Sequence, residues 1–289
     1  MTETEVNRID LDHLRSWIGR EEDFSDVITV DLVRKFNAML DKPAEKPAVG
    51  QVAPLLIHYC LGQPAALTAQ LGEDGHPPKG GFLPPVPLPR RMWAGGRLSF
   101  SDDLFIGDTV RRVSRISDLS VKEGRSGVLC FVTVEHKLDV DGRVVIQERQ
   151  DIIYRDAATG GPAAKPAAPA EPIAPGDHSR VVVPGAPLLF RYSALTFNGH
   201  RIHYDRPYAQ DVEFYPGLVV HGPLQATMLL HFAKELKGRV PAEFSFRGQT
   251  PLFDDDRINI HAAEKGGKLS LWTMRDGGPI AMSAEASWS

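Results

Sequence analysis

The sequence predicts an α+β protein of two similar halves, each an antiparallel sheet closed over a central helix. Three observations predict it. An Ala/Pro/Gly-rich stretch divides the chain, the flanks share one pattern of strands and turns, and an apolar helical segment precedes each pattern. The 289 residues suit one large domain or two of roughly 110–150 residues, each able to bury a core.

The dividing stretch is AATGGPAAKPAAPAEPIAPG at 157–176. Proline at that density neither continues a helix nor sits in a central strand, and structureless loops of this length are uncommon inside a compact domain. An exposed linker is therefore expected over 157–180, between an N-terminal half at 1–156 and a C-terminal half at 181–289.

In the N-terminal half, ITVDLVRKFNAMLDK (28–42) carries apolar residues at helical spacing, and APLLIHYCLG (53–62) is a short apolar run. GRLSFSDDLFIGDTVRR (96–112) then leads to GVLCFVTVEHKLDVDG and RVVIQERQDIIYR. Alternation at period two marks half-buried antiparallel strands, and Asp141-Gly142 supplies a hairpin turn.

The C-terminal half repeats the order. GLVVHGPLQATMLLHFAKELKG (217–238) predicts a helix with Gly222 as N-cap, Pro223 at the first helical position and Gly238 just past its end. Leu224, Met228, Leu229, Phe232 and Leu236 define an apolar face that Ala226, Leu230 and Ala233 widen, so nearly all of this helix is expected to be buried. AEFSFRGQTPLFDDDRINI (242–260) and KLSLWTMRDGGPIAMSAEASW follow, with a turn at Asp276-Gly277-Gly278. Each half has a Ser-Phe pair, a Leu-Phe pair, an acidic turn and two alternating strands, a weak internal repeat that suggests duplication. A buried helix wrapped by a curved antiparallel sheet is the hot-dog arrangement, and two halves make a double hot dog in one chain.

Composition narrows the partners. With 42% hydrophobic and 24% charged residues, wholesale disorder and a fibrous chain are excluded. Lys plus Arg is 33 against 37 for Asp plus Glu, a net −4, so no nucleic-acid partner is expected. No stretch reaches the roughly 20 apolar residues of a bilayer span. The opening MTETEVNRIDLDH is polar and acidic, unlike a secretory leader. Cys60 and Cys130 are the only cysteines and have no ligand spacing, so neither a disulfide scaffold nor a zinc ribbon is expected, and a cytoplasmic location fits.

The chemistry concentrates in FRYSALTFNGHRIHYDRPYAQDVEFYPGLVVHGP, residues 190–223. His200, His203 and His221, three of the ten histidines, fall here with Asn198, Tyr204, Asp205 and Tyr208, just ahead of the buried helix. Such crowding points to a site. His200 and His203 lie three apart, but no third ligand is well placed in the sequence, so no metal is expected.

This segment resembles the signature of the MaoC-like, R-specific enoyl-CoA hydratases, Gly-Asp-x-Asn-Pro-(Ile/Leu/Val)-His. Asn198 falls at the signature Asp, His200 at the Asn, Arg201 at the Pro, Ile202 at the aliphatic position and His203 at the catalytic His. VVHGPLQA (219–226) is similar to the family's Ile-(Ala/Val)-His-Gly-Met-Leu at the start of the hot-dog helix. YSALTFNGHRIHYDRPYA and YPGLVVHGPLQA are closer to a double hot-dog subgroup, the mesaconyl-C4-CoA and itaconyl-CoA hydratases and the type 2 hydroxyacyl-thioester dehydratases. DGHPPKGGFLPPVPLPRRMWAGGRLSF (74–100) resembles that group's degenerate N-terminal hot dog.

The resemblance implies a hydro-lyase acting on a short α,β-unsaturated acyl-CoA, best itaconyl-CoA or mesaconyl-C4-CoA to citramalyl-CoA. It requires no cofactor beyond the coenzyme A of the substrate, and a homo-oligomer of double hot dogs is expected. An amide at 198 can orient water but cannot take its proton, so the acid/base work falls on His203. The Gly222 N–H is the candidate donor to the enolate oxygen, although a glycine that only permits close packing reads the same. The first half has no Asn/Asp-x4-His segment before its apolar run and is expected to lack the catalytic pair. Arg90, Arg91 and Lys79 are candidates for coenzyme A phosphates, or else a solvated basic turn. Arg201 and Arg247 are candidates for clamping a substrate carboxylate, and Tyr204 and His221 for lining the acyl pocket.

Two other readings remain at this point: a general (R)-3-hydroxyacyl-thioester dehydratase and a non-enzymatic acyl-thioester-binding hot dog. A hot-dog thioesterase is weaker, with Asp205 as the nearby carboxylate base.

Overall fold

The computed structural model describes residues 9–43, 46–124, 127–157, 168–169 and 171–288. The first half supplies α1 (Leu11–Arg15), β1 (Glu21–Val27), α2 (Val30–Met39), β2 (Arg90–Phe100), β3 (Thr109–Gly124), β4 (Gly127–Val140) and β5 (Arg143–Arg155). The second supplies β6 (His178–Val182), α3 (Ala186–Leu195), α4 (Gly222–Lys237), β7 (Glu243–Gly248), β8 (Ile258–Lys265), β9 (Lys268–Arg275) and β10 (Ile280–Ser287).

The ten strands among the described residues form one antiparallel sheet in the order β1-β3-β4-β5-β2-β7-β10-β9-β8-β6. The order reads the same from either end: β1 matches β6, the β3–β4–β5 meander matches β8–β9–β10, and β2 meets β7 at the centre. The internal likeness of the sequence is this symmetry. At the junction Gly95 stands opposite Arg247 and Ser99 opposite Glu243. Asp141 and Gly142 take φ of 51° and 80°, the paired positive values of a two-residue hairpin whose twist matches its strands.

Helix α4 is the centre of the fold. Every residue from Leu224 to Ala233 is buried, and the helix packs on β2 as well as on β7 to β10. One apolar cluster runs from Ile28, Phe36 and Leu56 of the first half to Leu229, Phe244 and Ala286 of the second. Gly238 closes the helix at φ 68°, its N–H on the Lys234 carbonyl at 2.8 Å. The N-cap is His221, not Gly222 as the sequence suggests. The His221 carbonyl already accepts from Gln225 N–H at 3.2 Å, which makes Gly222 the first helical residue and Pro223 the second.

Among the described residues the first half has no equivalent of α4. Its run at 53–62 makes a single 3-10 turn, Ile57–Cys60, because Pro54, Gly62 and Pro64 bracket it and Leu56 enters at φ 61°. Val33, Phe36 and Met39 of α2 fill the interior beside it. Of the expected linker, 158–167 and 170 lie outside the described residues, as do 1–8 of the polar N-terminus. The far end of that stretch is strand: β6 begins at His178 and pairs with β8, Val182 opposite Ile258. No described helix is long and apolar enough to cross a membrane.

Candidate active site

The chain between α3 and α4 makes one 3-10 turn, Arg201–His203, which turns His203 inward to 7% exposure. Its Nδ1 lies 2.7 Å from the Val219 carbonyl. A carbonyl only accepts, so Nδ1 carries the proton and Nε2 is left with a free lone pair. Burial drives the His203 pKa down to about 4 against the upward pull of that carbonyl, so the imidazole is neutral at neutral pH.

His221, fully buried, stacks on His203 with centroids 3.6 Å apart and planes 18° from parallel. Its Nε2 shares a hydrogen bond of 2.8 Å with Ser193 Oγ of α3. Burial and the neighbouring His203 and His200 hold His221 well below the usual imidazole range. Asn198 Oδ1 accepts His200 N–H at 3.0 Å, which shapes the loop and leaves its amide N–H groups able to hold water.

Gly222 opens α4, so its N–H belongs to the first turn and has no acceptor within the helix. A Cβ there would meet Trp93 O at 3.6 Å and Met282 Cε at 3.9 Å, ordinary contacts. Packing therefore does not demand glycine at 222.

The site also draws on the first half, from a turn at Gly72–His76. Arg201 N–H bonds to the Asp74 carbonyl at 2.9 Å and Arg201 Nη1 to the Glu73 carbonyl at 2.9 Å. A Cβ on Gly75 would lie 1.9 Å from the Gly199 carbonyl, so two glycines let the loops touch backbone to backbone. His76 Nδ1 lies 2.8 Å from Asp74 Oδ2, and its ring sits 4.2 Å from that of His200. Burial opposes ionisation of Asp74, yet hydrogen bonds from His76 hold its carboxyl below the usual range. Burial, with His76 and His203 nearby, pushes His200 down to about 2. Sequence reading passes over Asp74 and His76; the Asp-Gly-His triplet is visible, but its nearness to His200 is a product of folding.

Asp74, His76 and His200 bring metal-ligand atoms within 4.8 Å of one another. The His76 and His200 rings, however, overlap at a 38° tilt rather than directing their edges to a common point, and His76 Nδ1 is already bound to Asp74. The three are joined by that hydrogen bond and that ring contact, and their residue types are also those of a metal site.

Several arginines stand elsewhere than the sequence suggests. Arg201 is held by Asp205, from Nε at 2.9 Å and Nη2 at 2.7 Å, and lies over the Tyr208 ring at 4.1 Å, so it has no fork left for a substrate. The same pair removes Asp205 as a thioesterase base. Arg247 is exposed on β7, opposite in facing to the buried Phe244 and Phe246, and so points away from α4. Arg90 is spent on Glu213, 2.6 Å to the carboxylate and 2.7 Å to the carbonyl. Tyr204, 46% exposed, donates to the Gly199 carbonyl at 3.0 Å and braces the loop rather than the pocket. Lys79 Nζ caps the carbonyls of Val86 and Leu88 at 3.2 and 2.5 Å. Arg91, adjacent to β5 through Tyr154, is close enough that its charge disfavours protonation of both His76 and His200.

The profile of the hydroxyacyl-thioester dehydratase type 2 family matches residues 56–254. The chain belongs to this family. It is 44% identical over 269 residues, 93% of this chain and 95% of the relative, to the mesaconyl-C(4)-CoA hydratase of Chloroflexus aurantiacus. It is 28% identical to the mitochondrial type 2 hydroxyacyl-thioester dehydratase of Schizosaccharomyces pombe, over 75% of this chain and 79% of that one. Among solved structures, a MaoC-like dehydratase from Phytophthora capsici covers 97% of this chain and 99% of its own at TM-score 0.70 and 13% identity. A Mycobacterium tuberculosis protein with a double hot-dog fold covers 93% and 95% at TM-score 0.53 and 12% identity. These likenesses show the fold, a double hot dog.

Proposed function

We propose that this family member is a hydro-lyase that adds water to a short, branched C4-dicarboxyl CoA thioester, itaconyl-CoA or mesaconyl-C4-CoA, giving citramalyl-CoA. The observation that carries the reading is the juxtaposition of a neutral, Nε2-open His203 with the first turn of buried α4. In hydration of mesaconyl-C4-CoA, whose double bond is conjugated with the thioester, His203 Nε2 takes a proton from water as the water oxygen bonds to Cβ. The π pair moves to Cα and onto the thioester oxygen, where the Gly222 N–H and the helix dipole stabilise it. Asn198 holds the water, and His221 fixes the plane of the His203 ring by stacking. Cα then receives a proton.

The 44% identity to a mesaconyl-C(4)-CoA hydratase across 93% of the chain supports the choice of acyl group. A free acyl carboxylate must be paired on entering a largely apolar site, at a cost of several kcal/mol if it is not. With Arg201 and Arg247 engaged or turned away, Arg91 takes that role in the proposal, or binds a coenzyme A phosphate. The reading includes no cofactor, a cytoplasmic setting and a homo-oligomer.

The test is kcat/KM for itaconyl-CoA and mesaconyl-C4-CoA against crotonyl-CoA and longer trans-2-enoyl-CoAs, followed by loss of conjugated-thioester absorbance for the conjugated substrates and by chromatography of citramalyl-CoA for itaconyl-CoA. A preference for linear substrates would favour the general (R)-3-hydroxyacyl-thioester dehydratase, the reading that the fission-yeast relative supports. Binding of the thioesters without turnover would leave an acyl-thioester-binding hot dog.

A further inference from the structure

The turn at Gly72–His76 is closed by its own hydrogen bonds. Gly72 N–H bonds to the His76 carbonyl at 2.8 Å, Gly75 N–H to the Gly72 carbonyl at 2.9 Å, and His76 N–H to Asp74 Oδ1 at 3.0 Å. The Asp74 carboxylate thus grips His76 twice, through its backbone N–H and through Nδ1. A carboxylate only accepts, so Nδ1 of His76 carries the proton and Nε2 is the nitrogen left over. His203 is anchored in the same way, Nδ1 on the Val219 carbonyl. The site therefore holds two imidazoles, each tied at Nδ1, with the His200 ring between them at 4.2 Å from one and 5.4 Å from the other.

We infer that His76 is the second proton-transfer residue of the hydration and Asp74 its positioning residue, the pair doing the work that a carboxylate at position 198 would do. The inference rests on the hydratase reading above and assigns a further residue to the same site. The two anchors differ in a useful direction. A carboxylate stabilises an imidazolium far better than a neutral carbonyl does, so a proton shared by the pair resides on His76 while His203 stays free to act as base. Burial lowers the His76 pKa from the ordinary imidazole value, and Arg91, Lys79 and His200, which face it, add to that; Asp74, the remaining facing group, restores part of the proton affinity that burial removes.

The step balances. His203 Nε2 takes the water proton while the C–O bond forms at Cβ and the π pair moves to Cα. The His76 Nε2–H proton then forms the new C–H bond at Cα, leaving His76 neutral with Nδ1–H still on Asp74. As product leaves, His203 gives up its proton to solvent and His76 takes one back.

The experiment is a set of variants assayed on mesaconyl-C4-CoA, with thermal melts to confirm folding. His76→Gln is expected to lower kcat by about 100-fold or more with KM within a few-fold, the usual scale of general acid–base catalysis. Asp74→Asn should move the alkaline limb of the pH–rate profile to lower pH, because the protonated form of His76 is the active one and the carboxylate sustains it. Adding Asn198→Asp to His76→Gln should restore at least tenfold of the loss, which a merely structural His76 would not allow. If His76→Gln keeps activity within about threefold of wild type, or the second substitution restores nothing, the assignment is overturned. Activity lost to a chelator and regained with Zn²⁺ would also overturn it, giving the three residues to a metal. A wild-type protein inert on every enoyl-CoA fails the hydratase reading itself, and this inference with it; an active wild type beside an unaffected His76→Gln fails this inference alone.

Discussion

The imidazoles of His203 and His221 lie face to face, 3.6 Å between centroids, beneath the first turn of α4. Stacking fixes the plane of His203 while the Val219 carbonyl fixes its tautomer. Ser193 in turn ties His221 to α3. Nε2 is thereby aimed by the 219–221 segment and, through it, by α3, with no bound substrate.

His203→Ala should lower kcat for enoyl-CoA hydration by about 100-fold or more. Circular dichroism and a thermal melt should show a folded protein, and turnover near the wild-type rate would refute the role given to His203.

Asn198 offers Oδ1 to His200 N–H at 3.0 Å. Asn198→Asp retains that acceptor and should keep substantial activity. Asn198→Ala loses it together with the water-holding amide, and kcat should drop at least tenfold. Steady-state kinetics on both variants decides the matter, since equal and total loss would make the amide purely structural.

Gly75 sits at φ 84° with the Gly199 carbonyl 1.9 Å from where a Cβ would be. Gly75→Ala should cost about 1–3 kcal/mol of stability, the range for a side chain forced into an incompatible backbone. It should also reduce kcat/KM, because the Asp74 turn must lift off the catalytic loop. Urea unfolding midpoints and kinetics measured together would show both effects, and neither changing would mean the two loops are not tightly apposed.

Burial lowers the pKa of His203 to about 4 and of His231 to about 3, with His221 well below the usual range. Each is lower in the folded state than the roughly 6.5 of an unfolded histidine. The stability they contribute is complete above about pH 6.5 and is lost as pH falls towards the folded values. Each titrating histidine should contribute a slope of about 1.4 kcal/mol per pH unit. Urea unfolding at pH 7, 6 and 5 is expected to show a steepening loss greater than one histidine explains; a flat profile would contradict their neutral burial.

The fold is legible in the sequence wherever its causes are local. Period-two alternation marks the meanders, Asp141-Gly142 specifies its hairpin, and Gly238 ends α4. Asn198, His203, His221 and Gly222 share one short segment, so motif spacing groups them as candidates. Asp74 and His76 do not share it, and nothing in the local pattern ties them to His200. The arginines divide along the same line. Alternation through FSFRG already sets Arg247 opposite Phe244 and Phe246, and Arg201 and Asp205 stand four apart, a spacing that invites an ion pair. The pairing of Arg90 with Glu213 joins distant segments and has no local sign.

The mirrored strand order about β2 and β7 has a consequence for how the molecule can change. Two identical subunits related by a two-fold axis must carry two identical centres, and any loop recruited for one duty is imposed on its twin. Here the twins are segments of one polypeptide, free to diverge. Among the described residues one has no long interior helix and donates a turn; the other has the helix and receives that turn. A change in the donated turn is met at once by the loop it touches in the other half, so the freedom to diverge ends where Gly75 meets Gly199.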